Sequence, residues 1–103
     1  MRLKYYSKNQ LNKDILKILG KYLNLDQYQV FYFGSRVAGF GDERSDVDLG
    51  IQGSKSVNPV ILLKIKEEIE NLPTLYKIDV VDINKSEPKF QKVALKKIEP
   101  LNG

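Results

Sequence analysis

Cysteine and histidine are both absent from the 103 residues. Without cysteine there is no disulfide framework, no thiolate zinc site and no thiol nucleophile. Without histidine there is no Ser-His-Asp triad, no Cys-His pair and no imidazole metal ligand. Long apolar runs are missing too. No stretch approaches the roughly 18 apolar residues of a membrane-spanning helix, and the first ten residues, MRLKYYSKNQ, contain no apolar signal core. The expected location is the cytoplasm, with no membrane attachment. Any chemistry must rest on carboxylates, hydroxyls, amines, backbone amides and a hard cation.

What is present describes a globular chain. Hydrophobic residues make up 42% and charged residues 29%, a balance that supports a packed core rather than disorder. The length leaves room for one domain over residues 1–103, with a core of about 8–98. The net charge of +4 is unevenly spread. Residues 1–21 hold six basic side chains against Asp14, and residues 83–103 hold five against Glu87 and Glu99. Residues 34–51 are locally acidic, with Asp42, Glu43, Asp46 and Asp48 against Arg36 and Arg44. The basic ends read either as a surface that attracts polyanions or an acidic partner, or, the commoner case, as a solvated lysine-rich surface. No aromatic-interleaved basic stripe is present, so direct nucleic-acid binding is not expected.

Periodicity orders the elements. Ser7 and Gln10 form a capping-box pattern ahead of Leu11, Ile15, Ile18, Leu19 and Tyr22, which predicts a helix over 8–22. Tyr28 to Phe33 is dense in strand formers and stops at Gly34. Residues 34–45 read as a loop or a short helix with flanking turns. Residues 46–51 alternate acidic and apolar side chains, the period of a strand. Asn58-Pro59 caps a helix carrying Leu62, Ile65, Ile69 and Leu72, stopped by Pro73. Residues 76–83 predict a third strand. Ser86 is the expected cap of a last helix that turns Phe90, Val93, Ala94 and Ile98 inward and ends at Pro100. The expected class is α+β (α/β): a small mixed sheet backed by helices.

Chemistry concentrates in two places. Asp46 and Asp48 are separated by one residue on a strand, so they point the same way with Cα atoms about 6.6–6.8 Å apart. Both can reach one divalent cation, and oxygen-only ligands suit Mg²⁺ or Mn²⁺. Just before them, Gly34-Ser35 ends a hydrophobic strand. Glycine lets a ligand approach the backbone. The amides of Ser35 and Arg36 can open a short helix toward phosphate, and Arg36 can add bidentate charge. A cation with a polyphosphate is the complementary cargo. A third acid comes from Ile78-Asp79-Val80-Val81-Asp82. Its two aspartates fall on opposite faces, and Asp79, among apolar neighbours, is the better candidate. Asp82 reads as a strand-end or turn residue. Phe40 could stack on a base or pack on the sheet, and no residue identifies which base is chosen.

Gly34-Ser35, ten residues, then Asp46-Val47-Asp48 resembles the nucleotidyltransferase signature of the DNA polymerase β superfamily. The stretch from Gly34 to Ile51 looks like the minimal nucleotidyltransferases, or MNT domains, and the similarity extends over about residues 8–98. The resemblance implies a nucleotidyltransferase fold. It implies that Gly34 and Ser35 hold the triphosphate and that Asp46 and Asp48 bind two metal ions. Asp79 matches the third acid, which helps bind the metal of the attacking group and can serve as base. Arg36 matches a position often arginine in MNT domains. The final Glu-Pro-Leu-Asn-Gly departs from the usual hydrophobic strand end.

The implied reaction is in-line displacement at the α-phosphorus of ATP or another nucleoside triphosphate, with Mg²⁺ or Mn²⁺. The chain has no residues left for an appended acceptor domain, so the acceptor is expected on another protein. In the family that partner is a HEPN-domain toxin whose tyrosine receives AMP, and the MNT protein is the antitoxin. Two alternatives are a binding module that blocks its partner without chemistry, and a transferase for a small hydroxylated molecule whose pocket forms in an oligomer.

Overall fold

The computed structural model describes residues 1, 3, 4, 6–39 and 45–102. Phe40, the possible stacking residue, lies outside the described residues, as does Gly41. Among the described residues no helix is long and apolar enough to cross a membrane.

Among the described residues four α-helices and four strands follow one another. Helix α1 spans Lys8–Gly20, strand β1 Tyr28–Phe33, helix α2 Ser35–Ala38 and strand β2 Val47–Gly53. Helix α3 spans Pro59–Glu70, strand β3 Ile78–Asp82, helix α4 Pro88–Ala94 and strand β4 Glu99–Pro100. The sheet order is β3-β2-β1-β4. β1 runs antiparallel to both β2 and β4, whereas β2 and β3 are parallel with α3 as their crossover. The sheet is therefore mixed, and the α+β expectation holds.

Local sequence explains the two long helices. Ser7 Oγ accepts the Gln10 amide at 3.3 Å to start α1, and Leu11, Ile15, Ile18 and Leu19 bury its apolar stripe. Asn58 Oδ1 accepts the amides of Val60 and Ile61 at 2.9 and 3.4 Å, and Pro59 takes the first turn, where a missing N–H costs nothing. Ile65 and Ile69 then seat α3 on the sheet.

The C-terminal part departs from the sequence expectation. α4 ends at Ala94 rather than continuing to Pro100, and Glu87 rather than Ser86 stands at its N-cap. Ser86 closes a 3-10 turn over Ile83–Lys85. Glu99 and Pro100 form a fourth strand opposite Tyr32 and Phe31. Proline lacks a donor and is tolerated in a strand at a sheet edge. Asn102 then finishes the pairing with its side chain. Its Oδ1 accepts the Val30 amide at 2.8 Å, and its Nδ2 donates to the carbonyls of Leu25 and Tyr28 at 3.1 and 2.9 Å.

The sheet has two unlike faces. On one, α1 and α3 cover Val30, Tyr32, Val47, Leu49, Ile51 and Val80 in the main core. On the other, Phe31, Phe33, Ile83 and Ala94 form a smaller cluster, backed by Val81, Leu95 and Ile98. α4 supplies this second cover, and it is only seven residues long. Close packing here demands Gly50, because a Cβ at that position would stand 2.6 Å from the Phe31 ring.

Candidate active site

Strand alternation delivers the acids to the thinly covered face. Val47, Leu49 and Ile51 of β2 are fully buried in the main core, so Asp48 between them points the other way. Asp48 pairs in register with Phe33 of β1 on one side and Asp79 of β3 on the other. Parallel pairing of β2 with β3 thus sets the two carboxylates on adjacent strands.

Gly34 completes this arrangement. Its backbone lies at φ 83°, ψ −162°, a region open almost only to glycine. A Cβ there would collide with Asp48 Oδ2. The Asp48 carboxylate rests where a side chain at position 34 would stand. The chain then turns directly into α2, where the Ala38 amide donates to the Gly34 carbonyl at 3.0 Å. Gly39, at φ 88°, ends this single turn.

Gly34, Ser35, Asp48 and Asp79 share a cleft of about 500 Å³ between α2 and α4. Four of the six residues expected at the site therefore meet in it. Asp46 and Arg36 stand outside its lining. Asp46 lies just before β2, exposed, with its carboxylate 4.0 Å from the Lys77 ammonium. Arg36 does not point into the cleft. Its Nε donates to the Ser45 carbonyl at 2.8 Å, and its guanidinium lies 5.0 Å from the Tyr76 ring centre. It braces the segment leading into β2 against the start of β3.

The electrostatics tie the acids together. Burial holds the Asp48 carboxyl above the usual carboxylate range, and the negative charges of Asp79 and Asp46 push it the same way. An oxygen-only donor set with this mutual repulsion suits a hard divalent cation. Among the described residues, no three acidic side chains are gathered into a ready-made metal cage. Asp48 and Asp79 are the pair that strand register has aligned, and Asp46 stands apart from them beside Lys77.

Asp82 is the structural aspartate expected from its position. It is buried, with Oδ2 accepting the Val57 amide at 2.7 Å and Oδ1 the Asn84 amide at 3.1 Å. Sequence reasoning missed the other wall of the cleft. Phe90 and Val93, expected in the core, line it and are 43% and 68% exposed. Lys96 and Lys97 line it as well. The seven-residue α4 seats Ala94 on the sheet and leaves Phe90 and Val93 at the edge of that contact. Tyr76 and Lys77 were also missed. Their partners Arg36 and Asp46 lie far away in sequence, and no local pattern announces such pairs.

A sheet of this order, a glycine turn after β1 and acids on β2 and β3 define a nucleotidyltransferase fold. The chain belongs to the polymerase beta nucleotidyltransferase family, whose family model matches residues 8–101. No curated protein matches it significantly in sequence. Among solved structures it resembles a toxin–antitoxin determined with AMP-PNP, at TM-score 0.71 and 16% identity over 89% of this chain and 73% of that one. It also resembles a chain of the tri-AMPylated Shewanella oneidensis HEPN toxin in complex with MNT antitoxin, at TM-score 0.67 and 17% identity over 92% and 72%. A structure described as a minimal nucleotidyltransferase matches at TM-score 0.66 and 18% identity, over 94% of this chain and 99% of that one.

Proposed function

We propose that the protein transfers AMP from ATP to a hydroxyl on a partner, a tyrosine of a HEPN-domain toxin, and so acts as an antitoxin. The observation that carries this reading is the Asp48–Asp79 pair, in register beside the Gly34–Ser35 turn and within one cleft. The family membership supports the reaction class, and the toxin–antitoxin structures of similar fold support the choice of partner. ATP chemistry agrees with a cytoplasmic location.

In this reading Asp46, Asp48 and Asp79 hold Mg²⁺ or Mn²⁺. Bound divalent cations would supply charge neutralisation and ease deprotonation of the attacking hydroxyl. The backbone at Gly34 and Ser35 receives the triphosphate, beside the Asp48 carboxylate that the missing side chain of Gly34 admits. Asp79, exposed at its end of β3, takes the proton from the attacking hydroxyl. The new bond joins that oxygen to the α-phosphorus, and the bond to pyrophosphate breaks. Positioning and charge account for most catalysis of this kind, so a site without histidine or cysteine is adequate.

The test is incubation with ATP, Mg²⁺ and a purified HEPN partner, followed by intact-mass spectrometry. The expected result is an AMP adduct on the partner, mapped to tyrosine, that drops on the order of a hundredfold or more in rate with Asp46→Asn. Absence of any adduct, or an unchanged rate with Asp46→Asn, would overturn the proposal. Toxin neutralisation that survives Asp48→Asn would point instead to a binding module.

A further inference from the structure

The cleft holds more than the acids require. Its second wall is an apolar strip from α4, made by Phe90 and Val93, with Phe33 and Val81 at its floor and Lys96 and Lys97 beside it. Among the described residues five large apolar side chains stay exposed, and of these Phe90 and Val93, at 43% and 68%, are the two that line the cleft. They look onto the same space as Asp48 and Asp79. The Phe90 ring is held edge-on to Phe33, with centres 6.0 Å apart and planes at 88°. It is therefore fixed by a neighbour while its remaining surface is open.

We propose that Phe90 and Val93 form the platform for the nucleobase of the bound nucleoside triphosphate. The inference rests on the transferase reading and names what that reading leaves open, the residues that hold the base. Continuity argues for this occupant. One cleft of about 500 Å³ carries a phosphate-compatible turn and two carboxylates at one side, and an aromatic strip with two cations at the other. A cation-bound nucleotide has the matching sequence of groups: an anionic chain, then a flat ring with little charge. Aromatic stacking tolerates any base, since every base offers a π-face.

The chain contains no tryptophan, so Phe90→Trp introduces a single indole reporter. ATP with Mg²⁺ should quench its emission, and inorganic triphosphate with Mg²⁺ should not. Calorimetry on the same samples reports binding independently of position 90. Phe90→Ala should weaken ATP binding on the order of tenfold and leave triphosphate affinity and the KM for the protein acceptor unchanged. Circular dichroism confirms that the variants fold. If ATP binds and AMP is transferred while the indole is unmoved and Phe90→Ala binds normally, the platform is wrong and the transferase reading stands. A rise in acceptor KM alone would assign the strip to the acceptor and overturn the proposal. If ATP does not bind at all, both readings fall.

Discussion

The two faces of the sheet are built from the same strands and do opposite work. On the α1 and α3 face, Val30, Leu49, Ile51 and Ile65 are completely buried. On the α4 face, burial stops at Phe31, Phe33, Ile83 and Ala94, and beyond them carboxylates and exposed apolar groups share a cleft. Alternation along β2 makes the division residue by residue: Val47, Leu49 and Ile51 are buried in the main core, and Asp48 between them lines the cleft. One face concentrates stability. The other tolerates repulsion and exposed apolar surface because the first holds the strands in place.

The comparison can be broken most forcefully by truncation. Leu49→Ala should destabilise the protein by about 2–5 kcal/mol, the range for emptying a packed site. Val93→Ala should change stability by less than about 0.5 kcal/mol, as for an exposed position. Urea denaturation of the pair measures both, and equal costs would erase the distinction between the faces.

Gly34→Ala probes the seam where the faces meet. Forcing a side chain into a glycine-only conformation costs about 1–3 kcal/mol, and the added methyl must also displace the Asp48 carboxylate. AMP transfer should fall far more than stability does. A variant with wild-type activity would show that the contact between Gly34 and Asp48 does not set the site.

The smallest effect is the most pointed. The Asp48 carboxyl titrates higher in the folded protein than in the unfolded chain, so the native state binds its proton more tightly. Its contribution to stability is greatest when it is protonated and falls as pH rises from the ordinary aspartate range through the raised folded value. Above that range the ionised group works against folding. Asp48→Asn should therefore raise Tm at pH 7 while abolishing transfer, and the gain should shrink as the pH is lowered to about 3. A lower Tm at neutral pH would show that Asp48 stabilises the fold.

The sequence disclosed the well-covered face better than the site face. Helical spacing from Leu11 to Leu19 and the Asn58-Pro59 cap made α1 and α3 readable, because each depends on neighbours within a turn or two. Asp48 and Asp79 were readable as acids on strands, and parallel register places them side by side. Arg36 was not. Its environment is made by Ser45 and Tyr76, which only the folded chain brings near. Phe90 and Val93 have the spacing of core residues, but α4 seats Ala94 on the sheet and leaves these two at the rim of the cleft. β4 is two residues long and contains proline, too little for any strand pattern.

The edges of the sheet carry a further consequence. On one side β4 closes the ladder, Pro100 offers no donor, and the Asn102 side chain occupies the hydrogen-bonding position of the next residue. β3 is the opposite edge. Lateral growth into another chain is thus directed to the strand that bears Asp79. Asp79 therefore has a neighbouring strand on one side only, and its side chain, standing off the sheet face, stays open to solvent on the other.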